Sequence, residues 1–182
     1  KNHNKSKFEI IGFSLLKNEK DKWNRDIEKY FSEFFYVHNK SDEEIAKLCK
    51  KMNIDIAIDL NGFTNEGRQG IFFNRAAPIQ INFLGYPGTL GAKFYDYIIA
   101  DKIVIPDSKK KNFTEKIIYQ NDCYQPNMQE RKVSKKNLKR SDFNLPDNKL
   151  VYCNFNSSFK ITPKIFKIWM EILKEVPESV FW

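Results

Sequence analysis

The sequence predicts an α/β fold built on parallel β-strands. Short runs rich in β-branched residues, such as Ile54–Leu60 and Ile79–Leu84, alternate with segments whose apolar residues recur at helical spacing. Strands this short and apolar are typical of parallel sheets that helices cover on both faces. With 182 residues, of which 41% are hydrophobic, the chain can bury one ordinary core or parts of two.

The first third of the chain predicts two strands and two helices. Phe8–Leu15 is expected to be a strand, and Lys20–Phe35 an amphipathic helix that buries Trp23, Ile27, Tyr30 and Phe31. The run Ser41-Asp42-Glu43-Glu44 is a capping box, in which the first and last side chains satisfy each other's free amides at a helix start. The strand Ile54–Leu60 follows this second helix.

The middle of the chain continues the alternation and then loses it. Arg68–Arg75 predicts a short helix, and Ile79–Leu84 and Tyr95–Ala100 predict two further strands. Between Pro106 and Pro146 the sequence is polar and basic, apart from a short candidate strand at Lys116–Tyr119. A linker is the natural interpretation of that stretch.

Order returns near the end of the chain in a second α/β unit. Leu150–Phe155 predicts a strand, and a helix is expected from Thr162 to Val176, with Thr162 as the N-cap and Pro163 in the first helical position. A further strand opens at Ser179. We therefore expect one domain over residues 1–122, a basic linker over 123–145 and a second domain starting at 146. The chain has no initiator methionine and ends within a strand, so we expect it to be a piece of a longer protein.

Composition excludes several classes of protein. The longest apolar runs have six or seven residues, well short of the roughly 20 that span a bilayer, and no secretory signal opens the chain. Cys49, Cys123 and Cys153 lie far apart with no C-x-x-C pair, which indicates neither a zinc motif nor a disulfide framework. A cytoplasmic protein without a membrane segment is expected.

The formal net charge of +8 invites a nucleic-acid interpretation. Residues 107–140 hold ten Lys and Arg against four Asp and Glu, so most of the excess lies in one segment. Its most basic part, Arg131–Arg140, has no aromatic residue on which bases could stack. A solvated linker is the favoured interpretation, and a non-catalytic nucleotide- or nucleic-acid-binding module stays open as an alternative.

Two glycine-containing loops are the first candidate for a ligand site. Six of the seven glycines fall between Gly62 and Gly91, and Gly62 and Gly85 each follow a predicted strand. In open α/β sheets ligands bind beyond the carboxyl ends of the strands, where glycine lets a ligand approach the main chain. A pair of tight turns is the alternative. The spacing matches neither the Rossmann dinucleotide fingerprint nor a Walker A motif.

The second candidate lies between the strand at Leu150 and the helix at Thr162. A helix N-terminus attracts phosphate through its free amides and its dipole, and Lys160 adds a mobile cation beside Asn156 and Ser157. A solvated lysine is the alternative.

Taken together, these segments resemble the protein O-GlcNAc transferases in order and spacing. In the first part of the chain the resemblance is carried by Asp59–Thr64, Arg68, Arg75–Gln80, Leu84–Ala92 and Asp96–Asp101. In the second part it is carried by Tyr152–Asn156, Lys160–Pro163, Trp169, Ile172–Lys174 and Val176–Pro177. Its most specific parts are the run Gly-Tyr-Pro-Gly-Thr and the run from Asn-Phe-Asn to Lys-Ile-Thr-Pro.

The resemblance implies the GT-B arrangement, in which two Rossmann-like parallel-sheet domains face each other across a cleft that binds UDP-GlcNAc. Residues 1–122 would be the later part of the first domain and 146–182 the start of the second. Tetratricopeptide helices commonly lie upstream in this family. The implied reaction is inverting transfer of GlcNAc to Ser or Thr hydroxyls of a protein or peptide acceptor, without a metal or other cofactor and without nucleic acid.

The resemblance also implies roles for individual residues. Leu84, Gly85 and Pro87 would line the GlcNAc pocket, and Lys160 would contact the UDP diphosphate and stabilise it as it leaves. Ser157 would sit by the nucleotide, with Asn156 beside it, although several relatives carry glutamine at the position of Ser157. Arg68 would be a cleft residue, with a structural salt bridge as the alternative.

Two further expectations follow from the resemblance. Neither histidine is a credible base, because His3 lies in the polar N-terminal stretch and His38 follows a candidate strand at Phe34–Val37. The resemblance implies that the family's histidines near the sugar lie upstream of residue 1. Residues 1–182 alone should therefore be inactive. The nearest rival is a protein O-fucosyltransferase of the same fold that uses GDP-fucose; that branch carries asparagine after the Tyr-Pro pair, whereas this chain has Gly88.

Overall fold

The computed structural model describes residues 2–17, 22–127 and 133–182, with the backbone alone for residues 22–24. These residues form two compact units, Lys1–Asn127 and Met128–Trp182. Both units have the α/β pattern that the sequence predicts.

The described residues of the first unit form six strands and three α-helices, which alternate as far as β4. Its strands are β1 Ile11–Ser14, β2 Glu33–Tyr36, β3 Ile56–Asp59, β4 Ile79–Asn82, β5 Tyr97–Ala100 and β6 Lys116–Tyr119. Its helices are α1 Lys22–Glu28, α2 Asp42–Lys51 and α3 Gln69–Phe73, and a 3-10 turn at Asp107–Asn112 precedes β6.

All strand pairs in this unit are parallel. β1 pairs with β2, and a four-stranded sheet has the order β3-β4-β5-β6. Because consecutive strands of the four-stranded sheet are parallel neighbours, their carboxyl ends lie at one edge. That edge carries the loops that follow Asp59 and Asn82.

Helix α2 shows how the sequence sets a boundary and a buried face. Ser41 accepts from the Glu44 amide at 3.2 Å, and the Ser41 amide donates to the Glu44 carboxylate at 2.7 Å, which confirms the predicted capping box. The helix buries Ile45, Ala46 and Cys49 in a core shared with Val37, Ile71, Phe72, Ala76, Leu90 and Tyr95. Burial raises the pKa of the Cys49 thiol, as expected for a structural cysteine.

The second unit contains two parallel strands and one long helix. Strand β7 Leu150–Tyr152 pairs with β8 Ser179–Phe181, and helix α4 Pro163–Glu175 connects them. Thr162 caps α4 by accepting from the Ile165 amide, and Pro163 occupies its first turn, as predicted. The Trp169 ring stacks on Phe181 with centroids 4.8 Å apart, which fixes the helix against β8.

The helix predicted over Lys20–Phe35 is wrong in its second half. Helix α1 ends at Glu28, and Glu33–Tyr36 forms β2, close to the candidate strand Phe34–Val37. Consecutive aromatic residues favour strands, and Phe35 stacks on Phe13 of β1 with centroids 5.5 Å apart. The predicted helix start at Lys20 and the side chain of Trp23 lie outside the described residues.

The polar stretch Pro106–Pro146 contains more structure than a linker. The candidate strand Lys116–Tyr119 within it is confirmed as a member of the four-stranded sheet, paired with β5 along its length. The buried carboxylate of Asp101 holds the chain that follows β5, since it accepts from the amides of Ile103 and Val104, and it also accepts from the Tyr124 amide. Ordered structure therefore continues past β6. Among the described residues no helix is both long and apolar enough to cross a membrane.

Candidate functional site

The loop after β3 is organised by a buried carboxylate. Asp59, at the end of β3, accepts from the amides of Asn61 at 2.9 Å and Gly62 at 3.0 Å through Oδ1. Its Oδ2 accepts from the Tyr95 hydroxyl at 2.5 Å. Burial first, and then this bond to Asp59, raises the pKa of Tyr95 well above its usual range. Tyr95 therefore stays a neutral donor, and Asp59 fixes the turn in one conformation.

The loop after β4 packs directly on the loop after β3. The Gly85 amide donates to the Leu60 carbonyl at 3.1 Å, and any Cβ on Gly85 would collide with that same carbonyl oxygen. Gly62 has a φ of +56°, and a Cβ there would lie 2.7 Å from the Cβ of Tyr86. Both glycines are required because the two backbones meet with no room for a side chain.

Leu84 occupies a strained backbone conformation at this junction. Its φ is +77°, and the Gly85 amide also donates across it to the Phe83 carbonyl at 3.1 Å, the hydrogen-bond pattern of a γ-turn. A branched residue with positive φ persists only where its surroundings enforce it, and such strain clusters at functional sites. The positive φ of Leu84 is a property of the folded loop that no local sequence pattern indicates.

Asn82, which the sequence interpretation missed, holds the same loop from below. Its side chain is fully buried, and its Nδ2 donates to the carbonyls of Tyr86 at 3.2 Å and Gly88 at 3.1 Å. The amides of Tyr86, Gly88 and Thr89 have no acceptor in the described part of the protein. The loop therefore turns carbonyls inward and leaves amide donors available, with Pro87 exposed between them.

Glu115, just before β6, anchors the far end of the loop and was also missed. Its carboxylate accepts from the Thr89 hydroxyl at 2.6 Å and from the Leu90 amide at 2.6 Å. A glutamate before a short strand gives no sequence signal of such a role. Asn82 did have a sequence signal, because it is a polar residue at the end of an otherwise apolar strand. A polar side chain that is buried there needs hydrogen-bond partners, which indicates a role in the adjoining loop.

The guanidinium of Arg68 is engaged by groups outside this loop. Its guanidinium pairs with Asp42 at 2.5 Å and donates to the carbonyls of Lys40 at 2.7 Å and Val37 at 3.5 Å. The salt bridge named as the alternative for Arg68 is present, and it ties the start of α2 to the start of α3. Gly70 of α3 packs against Asp42 so closely that a Cβ there would collide with the carboxylate.

In the second unit, Asn156, Ser157 and Lys160 lie together before α4. The Asn154 Oδ1 accepts from both the amide and the Nδ2 of Asn156, at 2.9 and 3.0 Å, and Ser157 begins the 3-10 turn Ser158–Lys160. Lys160 is exposed and forms no ion pair with the residues that the structure describes. Its ammonium group is thus available to an anionic ligand.

Other features of the structure do not join this site. A cavity of about 410 Å³ lies at the amino edge of the sheet, lined by Lys50, Asp55, Arg75 and Pro78 among others, and none of the predicted site residues contributes to it. His38 is exposed after β2. Within residues 2–17, 22–127 and 133–182, no group of three or more His, Cys, Asp and Glu could hold a metal ion.

Comparison with known proteins connects both units to one family. Residues 1–130 and 125–182 match the family model described as glycosyl transferase family 41. The probable UDP-N-acetylglucosamine-peptide N-acetylglucosaminyltransferase SEC of Arabidopsis thaliana is 35% identical over 99% of this chain and 19% of its own length. The similarly named SPINDLY protein of Petunia hybrida is 27% identical over 97% of this chain and 19% of its own length.

A solved structure shows the same fold. A mutant O-GlcNAc transferase from Thermobaculum terrenum superimposes with a TM-score of 0.82 at 22% identity, over 98% of this chain and 33% of that chain. The fold is α/β of the GT-B type, as the sequence resemblance implied. The chain spans about a fifth of the length of the curated relatives it matches. With the family model matched across both units, the chain belongs to glycosyl transferase family 41.

Proposed function

We propose that the gene product carrying these residues transfers GlcNAc from UDP-GlcNAc to Ser or Thr hydroxyls of proteins, with inversion and without a metal ion. The observation that carries the proposal is the loop Leu84–Thr89, which combines a strained Leu84 with the amides of Tyr86, Gly88 and Thr89, none of which has an acceptor among the described residues. Relatives at 35% and 27% identity are named as probable enzymes of this activity. We propose a cytoplasmic location on the same basis.

The first unit would supply the sugar-binding contacts. An N-acetylated sugar has hydroxyl and carbonyl oxygens that accept hydrogen bonds. Backbone amides of the protein that are already fixed in direction bind such oxygens with little loss of entropy. In this loop Gly85 and Pro87 are exposed and Leu84 is half-buried, and the Gly85 amide is held on the Leu60 carbonyl. In this proposal Leu84, Gly85 and Pro87 contact the sugar. Glu115 only supports their loop, and Asp59 only supports the neighbouring loop after β3.

The second unit would supply the diphosphate contacts. Lys160 is an exposed cation that forms no ion pair with the described residues, and its amide donates to the Ser157 carbonyl at 3.0 Å. When the bond from the sugar to the diphosphate breaks, negative charge grows on the diphosphate, and a cation already in place lowers the barrier. Arg68 has no assigned contact with the donor in this proposal, because Asp42 and two carbonyls occupy its guanidinium.

The test is a donor comparison on the full gene product. The enzyme is incubated with a Ser/Thr-containing peptide and either UDP-GlcNAc or GDP-fucose, with and without a chelator, and the sugar on the peptide is measured by mass spectrometry. We expect GlcNAc transfer that survives chelation. Transfer of fucose instead would establish the rival donor, for which Gly88 is the discriminating residue, and transfer from neither would overturn the catalytic proposal.

We also propose that residues 1–182 alone transfer no GlcNAc, because His38 is exposed after β2 and neither His3 nor His38 hydrogen-bonds to the Leu84–Thr89 loop in the described part of the chain. Measurable GlcNAc transfer by the purified 182-residue chain would contradict this.

A further inference from the structure

One buried amide in the first unit is incompletely satisfied. Asn82 has no exposed surface, and its Oδ1 has no hydrogen-bond partner among the residues that the structure describes. A buried acceptor without a partner destabilises the fold, and such groups call for an explanation. The orientation of the carboxamide is not arbitrary, since its Nδ2 faces two carbonyls; a flip would place Oδ1 against those same oxygens.

The side chain with the unpartnered oxygen lies directly against the Leu84–Thr89 loop, the candidate sugar-binding loop. The two carbonyls that Asn82 holds belong to Tyr86 and Gly88, on either side of Pro87. Pro87 has no amide, so Asn82 secures both flanking peptide groups with their oxygens inward. The Oδ1 lies 3.4 Å from where a Gly62 Cβ would be, so the same side chain also packs under the loop after β3.

We propose that Asn82 is a positioning residue for the donor sugar: it holds the Tyr86 and Gly88 carbonyls inward so that the loop presents its amides to the sugar. The inference rests on the proposed function and extends it to a residue that does not itself touch the ligand. A leucine of the same branched shape would remove the unpartnered oxygen and would suit a purely structural position better. The asparagine is therefore explained by what it does to the loop.

Strand β4 supplies a matched control. Gln80 is also fully buried on β4, but at the amino edge, where its side chain accepts from the Ala76 amide at 2.8 Å and donates to the carbonyls of Phe72 and Phe94. Replacing Gln80 should weaken the fold without changing the sugar loop. Replacing Asn82 should change the loop while stability changes little, because lost hydrogen bonds are offset by removal of the unpartnered oxygen.

The experiment compares Asn82→Leu, Asn82→Asp and Gln80→Met in the full gene product. For each variant we measure the melting temperature, kcat/KM for UDP-GlcNAc and the inhibition constant for UDP. UDP lacks the sugar, so its binding reports the nucleotide contacts and the folded fraction. If Asn82 had only a structural role, its replacement would weaken UDP-GlcNAc turnover and UDP inhibition to the same extent.

For Asn82→Leu we expect kcat/KM for UDP-GlcNAc to fall about tenfold, the effect of losing one to two hydrogen bonds, with UDP inhibition within about twofold of wild type. Asn82→Asp should lose at least as much, because a carboxylate oxygen would face both carbonyls. Gln80→Met should lower the melting temperature. It should not change kcat/KM for UDP-GlcNAc relative to the affinity for UDP. If Asn82→Leu does not fold, the inference is tested on Asn82→Asp, by comparing its loss of kcat/KM for UDP-GlcNAc with its change in UDP inhibition.

Two results would overturn the inference alone: unchanged UDP-GlcNAc kinetics in the Asn82 variants of an active enzyme, or an equal loss for UDP-GlcNAc and UDP. A wild-type enzyme that turns over no UDP-GlcNAc would overturn the proposed function, and the inference with it.

Discussion

At the residue scale, the loop after β4 depends on a glycine beside a strained leucine. Positive φ costs a non-glycine residue about 1–2 kcal/mol, and Leu84 is kept at +77° by the contact between the Gly85 amide and the Leu60 carbonyl. Any side chain at Gly85 would push this contact apart. Strain in Leu84 and close approach at Gly85 are therefore two parts of one arrangement.

The substitution Gly85→Ala tests that arrangement. We expect the free energy of unfolding to fall by about 1–3 kcal/mol, as for other overpacked sites, together with loss of UDP-GlcNAc turnover. Gly91→Ala is the matched control, because Gly91 has a φ of +64° but open space around it; it should cost about 1 kcal/mol for its backbone alone and keep turnover. Urea unfolding and donor kinetics measure both, and equal effects at the two positions would refute the explanation.

Lys160 carries the second prediction at this scale. Lys160→Ala should lower kcat by about 100- to 1,000-fold, the usual effect of removing one preorganised donor of charge stabilisation, while the melting temperature stays near wild type because the side chain is exposed. Lys164→Ala, an exposed lysine in the first turn of α4, is the control and should leave kcat unchanged. A comparable loss in both variants would mean that general surface charge, and not Lys160, matters.

At the element scale, the segment after β5 is held by one carboxylate. Hydrogen bonds from the Val104 amide, then the Tyr124 amide, hold the pKa of Asp101 below its usual range. A lowered folded-state pKa means that the carboxylate stabilises the fold fully above its unfolded pKa, and that this contribution is lost as the pH falls through the folded pKa. The segment 101–124 should therefore be acid-sensitive.

Asp101→Asn checks the pH dependence. An amide can still accept from Ile103 and Val104 but would present a donor to the Tyr124 amide, so the variant should be less stable than wild type at about pH 7. The difference should begin to shrink as the pH falls below about 4, the pKa of aspartate in an unfolded chain, and shrink further as the pH falls through the lowered folded-state pKa. Urea midpoints across this pH range measure it. A difference that stays constant into acid would show that the charge of Asp101 plays no part.

The sequence predicted most elements because their signals are local. The capping box at Ser41–Glu44 and the Thr162-Pro163 start each define a boundary through neighbouring residues, and both are confirmed. The helix over Lys20–Phe35 failed because its aromatic residues also suit a strand, and pairing with β1 decides between the two. Strand β6 was identified, but its membership of the sheet depends on residues far away in sequence.

The candidate site was predictable only in part, for the same reason. Gly62 and Gly85 were visible as glycines after strands, but the hydrogen bond from Gly85 to Leu60 joins two separate loops. Asn82 and Glu115 act on the loop through its backbone, and no local pattern encodes such contacts. The roles of Lys160, Asn156 and Ser157 stay predictions.

At the scale of the whole molecule, the net charge of +8 is the feature most open to a different functional interpretation. The structure divides the basic segment into two kinds of residue. Lys135, Lys136 and Lys139 are exposed, whereas the Arg140 guanidinium donates to the carbonyls of Pro146, Asp147 and Lys149. Deleting the segment Lys135–Arg140 would thus remove a structural contact of the second unit as well as charge.

A sharper test replaces Lys135, Lys136 and Lys139 together by glutamine and leaves Arg140 in place. If the segment is only solvated, UDP-GlcNAc kinetics and the melting temperature should match wild type, and neither protein should bind nucleic acid at physiological salt. If it binds polyanions, the slope of log affinity against log salt should flatten by about 0.9 for each lysine that contacts a phosphate of duplex DNA. Arg140→Gln is the structural counterpart and should destabilise the second unit by about 1 kcal/mol through its lost carbonyl contacts, without changing any salt dependence. A nucleic-acid affinity that the lysine substitutions abolish would favour the binding-module alternative over a solvated linker.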